Sequence, residues 1–113
     1  MTSLARVYLV LAVVGFLVPN TFTLIESVQT GNILFWTDPA RTVSELFINR
    51  TSTAFALDLL ATAVAVLIWM TVEAGRLGIR RVWVFWVLTL LFGMGGPLPL
   101  FLYFRERRLE QAL

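Results

Sequence analysis

The sequence predicts an all-α membrane protein: three transmembrane helices, with a short interfacial helix between the first and the second. Composition and segment length carry that expectation. The chain has 113 residues, 58% of them hydrophobic, and a mean hydropathy of +0.82. Only 14% are charged, against roughly 25% in a soluble domain. Three windows of about 20 mostly apolar residues have the length that crosses a hydrocarbon core. A chain this short forms a single transmembrane domain, 1–113.

The first segment, 4–25, starts within "MTSLARVYLVLAVVGFLVPN". It has a short basic start but no small-x-small cleavage site, and is read as a retained helix. The long connection that follows contains Asp38-Pro39, a cap and first-turn pair for a helix at about 39–49. Val43, Leu46 and Phe47 then fall on one face at i, i+3 and i+4, so this helix is expected to lie flat in the interface.

The second segment, 51–72, opens with Thr51 and Ser52, which can accept from the first free amides. It closes at "EAGRLGIRR", where Gly75 and Gly78 break the pattern and Arg76, Arg80 and Arg81 meet the headgroups. The third, 82–104, is interrupted by "GMGGPLP" at 93–99. Trp69, Trp83 and Trp86 mark one interface, and Tyr103 and Phe104 the other. Arg105, Arg107 and Arg108 anchor the tail.

Three crossings place the termini on opposite sides. Arg6, Arg76, Arg80 and Arg81 then face one side and Arg41, Arg50, Arg105, Arg107 and Arg108 the other, four against five with no bias. A rival arrangement turns the third segment back at "GMGGPLP" and puts seven arginines on one side against two, as the positive-inside rule prefers. Its legs of roughly 16 Å and 10 Å cannot span and need protein cover. Three crossings are preferred.

Composition also excludes function classes. With no cysteine and no histidine, disulfides, thiol chemistry, haem ligation through histidine and most zinc sites are ruled out. No cofactor and no metal are expected. All nine basic residues are arginine and the net charge is +2. These arginines flank apolar segments, which suits a lipid bilayer and not nucleic acid. "GMGGPLP" lacks the lysine and Ser/Thr of a phosphate loop. Glu73 pairs with Arg76 at i, i+3. No set of side chains forms a catalytic constellation, so the sequence points away from an enzyme.

One site stands out. "FALDLLATAVAVLIWM" is apolar but for Asp58 and a threonine, and an acid near the bilayer centre costs roughly 2.5 to 3.5 kcal/mol. Asp58 lies roughly 10 Å in from Thr51, Asn20 roughly 9 Å from Glu26, and Gly96 roughly 13 Å from Arg105. All three therefore fall in one layer if the segments span. Pro19 and the glycines Gly93, Gly95 and Gly96 release backbone groups that need partners. Ala54, Ala61, Thr62 and Ala65 share the Asp58 face and allow close helix packing. Asp58 is expected to point into the bundle. There it would either lock the helices through Asn20 and the Gly93–Gly96 backbone, the favoured reading, or form a pocket with them.

The segments "LVPN", "ELFINRTSTAFALDLL", "VEAGRLGIRRVWV" and "PLPLFLYFRERRLE" resemble a family of small bacterial membrane proteins, well represented in cyanobacteria and known as domain of unknown function 2834. The resemblance covers nearly the whole length and implies a multi-helix membrane protein with no established activity. The expected function is a non-enzymatic accessory or assembly subunit of the inner membrane that acts by helix packing, in a homo-oligomer or a larger membrane complex. The alternative is an intramembrane binding or proton-relay protein for an ion, isoprenoid lipid or pigment, centred on Asp58.

Overall fold

The structure, a computed structural model, describes residues 2–112 and is all-helical. Its helices are α1 (Ser3–Thr30), α2 (Pro39–Leu46), α3 (Arg50–Leu77), α4 (Val82–Phe92) and α5 (Pro97–Ala112), with a short 3-10 turn at Ile33–Phe35. Two of them, α1 and α3, are long and apolar enough to cross a membrane.

Both outrun their apolar windows because their ends are capped by side chains and glycines, not by the edge of hydrophobicity. The Thr2 hydroxyl accepts from the Ala5 amide at the start of α1, and Gly31, at φ 74°, closes it. Thr21, Thr23, Ser27 and Thr30 each donate to the carbonyl one turn back, so these hydroxyls are satisfied on an apolar helix. The expected cap of the second segment is corrected: Asn49, not Thr51 or Ser52, accepts from the Ser52 amide at 2.8 Å. Gly78, at φ 71°, ends α3, whereas Gly75 lies inside it. A short helix forms within the expected 39–49 and ends earlier, at Leu46. Asp38 accepts from the Arg41 amide, Pro39 occupies the first turn, and Val43, Leu46 and Phe47 are exposed.

The expected third crossing is corrected. Residues 82–104 form two helices folded antiparallel about 93–96. Gly93 adopts φ 81°, ψ −177°, a region essentially restricted to glycine, and Pro97 begins α5. The reversal is held by ring contacts: Phe85, near the start of α4, meets Phe101 at 5.3 Å and Phe104 at 6.0 Å, both edge to face. Tyr103 and Phe104 therefore lie at the same end of the molecule as Trp83, not opposite it. The start of α1 meets the last turn of α5 there too, where the Thr2 amide donates to Glu110 at 2.8 Å.

Packing is concentrated at that end. Met70, Ala74, Phe85 and Phe101 form the buried core, with Trp69 edge to face on Phe101 at 5.5 Å. The C-terminal third of α3 thus sits on the α4–α5 hairpin, while α1 packs along α5. The molecule is a rod of 49 × 24 × 23 Å.

Candidate functional site

Two of the three expected interruptions meet. Pro19 has no amide to offer the Gly15 carbonyl, and Gly15 faces Gly95 with backbone against backbone: a Cβ on Gly15 would overlap the Gly95 carbonyl oxygen. Gly96 is equally confined, since a Cβ there would lie 2.5 Å from Phe16 ring carbons. The carbonyls left at the end of α4 are satisfied from outside the hairpin. The Asn20 amide donates to Phe92 at 3.4 Å, besides Phe16 at 2.9 Å, and the Trp36 indole donates to Leu90 at 2.8 Å. Asn20 and the Gly93–Gly96 turn are thus a packed structural joint.

Asp58 is not part of it. Its side chain is exposed on the outer face of α3 and makes no hydrogen bond or ion pair among the described residues. The expectation that it points into the bundle is corrected. The inner face of α3 is defined by Ala56, Val66, Met70, Glu73 and Ala74, and Asp58 lies off that line. The lock and the pocket imagined between Asp58, Asn20 and the glycines are therefore not assembled within the chain. Thr62 is exposed on the same outer face. Ala61, Thr62, Ala65, Val66 and Trp69 line a shallow trough of about 490 Å³ that runs from this face to the edge of the inner one at Val66.

The buried acid is Glu73, 4% exposed. Arg76 donates to it at 3.1 Å, as its i, i+3 position suggests, and Arg105 donates from α5 at 3.0 Å. The Arg105 contact escaped sequence reasoning, because it exists only if α5 returns to the α3 end. Arg80, Arg81, Arg107 and Arg108 gather there as well. Arg107 pairs with Glu110 at 3.0 Å, Arg108 donates to the Gly78 carbonyl at 3.4 Å, and Arg80 and Arg81 have no partner among the described residues. Hydrogen bonding to the Thr2 amide, aided by Arg107, holds the Glu110 carboxyl below its ordinary range. Trp69 and Trp83 are exposed at the same end. No group of three carboxylates among the described residues could hold a metal ion.

A family described as a protein of unknown function, DUF2834, matches residues 7–107. No curated protein and no solved structure matches the chain.

Proposed function

The chain belongs to the DUF2834 family, and on that footing we propose that it is a multi-pass protein of the cell inner membrane, a non-enzymatic accessory or assembly subunit that acts by helix packing. Charge spacing supports the membrane placement. No charged residue lies between Arg6 and Glu26, about 30 Å of helix and the thickness of a hydrocarbon core. Between Arg50 and Glu73 the only charge is Asp58. Only 11% of the most apolar window of either helix is buried, so the outer surface of both needs a lipid environment.

In this placement α1 and α3 cross, and the α4–α5 hairpin enters from one side and turns back about halfway, its turn covered by Gly15, Phe16 and Asn20. Arg6, Arg76, Arg80, Arg81, Arg105, Arg107 and Arg108, seven of the nine arginines, then share the cytoplasmic side. The α2 helix lies in the opposite interface. Labelling engineered cysteines at both termini tests this, and both should react from the same side.

The observation that carries the accessory role is the outer face of α3. Asp58 lies about 12 Å below Arg50 with no partner in its own chain, where lipid contact costs roughly 2.5 to 3.5 kcal/mol. A hydrogen-bond donor on another helix removes that cost, and Ala54, Ala61 and Ala65 allow its backbone to approach. A second copy or a partner subunit fits this face. Oxidative crosslinking of Ala61→Cys or Ala65→Cys in native membranes should trap an adduct, whereas Val10→Cys on the exposed side of α1 should not. A chain that stays monomeric at every α3 position would overturn the assignment.

A further inference from the structure

We propose that a groove at the arginine-rich end binds one anionic phospholipid, its phosphate held by arginines and one acyl chain laid along the hairpin; the proposal rests on the membrane placement above. The groove, about 570 Å³, runs between the α3–α4 connection and the last turns of α5. Arg80, Arg81, Arg107 and Arg108 line it. Arg107 is neutralised by Glu110 and Arg108 spends one nitrogen on a carbonyl. Arg80 and Arg81 have neither hydrogen bond nor ion pair among the described residues.

Three further features define the occupant. The first turn of α4 has no side-chain cap and no acidic residue, so its amides add a positive helix end where the arginines converge. The floor is apolar, formed by Ile79, Val84, Phe85 and Phe104, which suits an acyl chain and gives a free phosphate nothing to bury. The groove also adjoins the level at which Arg76 and Arg105 mark the end of the apolar part of α3 and α5. A headgroup with net negative charge complements the arginines, and the apolar floor at Val84, Phe85 and Phe104 receives the first part of the acyl chain.

The test uses the full chain in a mild non-ionic detergent, with bound lipid counted by native mass spectrometry. Dioleoylphosphatidylglycerol should be retained at one molecule per chain, and at least about tenfold more tightly than dioleoylphosphatidylcholine. The double variant Arg80→Gln, Arg81→Gln breaks no intramolecular contact. It should keep its helix content by circular dichroism and lose most of that preference, since each basic group near a lipid surface contributes about 1 kcal/mol, roughly fivefold. Equal retention of the two lipids, or an unchanged preference in the double variant, overturns the proposal. So does tight binding of soluble glycerol phosphate, which would make the site one for a free anion, or displacement of the lipid by a co-purifying acidic protein. Release of the chain from membranes by a carbonate wash would instead overturn the membrane placement.

Discussion

Gly15 of α1 and Gly95 of the α4–α5 turn meet backbone to backbone: Gly15 has no room for a side chain facing the turn, and a Cβ on Gly95 would come within 3.3 Å of the Gly15 carbonyl oxygen. This contact seats the hairpin turn on α1. Gly15→Ala would drive a methyl group into a carbonyl that cannot swing away as a flexible side chain could. The expected loss is about 1–3 kcal/mol, the range for overpacking. Gly75, inside α3, is the internal control, because a Cβ there meets nothing within 4 Å. Gly75→Ala should be neutral or stabilise by up to about 1 kcal/mol. Thermal melts of the two variants in the same detergent check the contrast, and equal shifts would remove the close contact from the account.

The Glu73 triad ranks three substitutions. Arg105→Gln leaves a buried carboxylate with one exposed partner, Arg76, whose side chain is 70% exposed, and should cost about 2–4 kcal/mol. Glu73→Gln leaves no buried anion, and Arg105 can turn outward, so its cost should be smaller. Arg76→Gln removes a solvent-screened pair and should cost less than about 1 kcal/mol. Denaturant melts that reversed this order would show that Glu73 does not hold α5 to α3.

Acid should loosen the junction of the chain ends. The Glu110 carboxyl lies below its ordinary value of 4.5 because the Thr2 amide donates to it. A depressed folded value means that its stabilising contribution is complete above pH 4.5 and is lost as pH falls from there through the folded value. The protection of the Thr2 amide, its exchange by NMR relative to that of an unstructured amide at the same pH, should therefore fall below pH 4.5. In Glu110→Gln that acid-dependent step should disappear.

The parts of this fold that were legible in the sequence rest on local chemistry. The long α1 and α3, the Asp38-Pro39 start of α2, the Glu73–Arg76 pair and the break at 93–99 all follow from residues within one or two turns. The reversal at Gly93 does not. Its glycine permits a turn, but its direction is set by Phe85 meeting Phe101 and Phe104, and by Gly15 meeting Gly95, contacts between distant parts of the chain. Asn20 does lie at the depth of the turn and donates to Phe92 there. Asp58 shares the depth and not the joint, because equal depth says nothing about which way a side chain points around its helix. For the same reason the small-residue face expected to turn inward does not: Ala61 and Ala65 are exposed.

The outward position of Asp58 separates two effects that a buried acid would mix. Having no hydrogen bond or ion pair among the described residues, it contributes nothing to the packing of its own chain. Asp58→Leu should therefore leave the melting of the isolated chain within about 0.5 kcal/mol of the native value, as for other surface changes. Association is different. If the carboxyl accepts from a helix of a second copy or a partner subunit, Asp58→Leu should weaken that contact by about 0.5–2 kcal/mol and reduce the α3 crosslink, while Asp58→Asn, which keeps an acceptor oxygen and the shape, should preserve both. Loss of biological effect in Asp58→Asn with the crosslink intact would mean that the group must ionise, and helix packing would no longer describe its role. A crosslink unchanged in Asp58→Leu would show that the partner does not touch the acid.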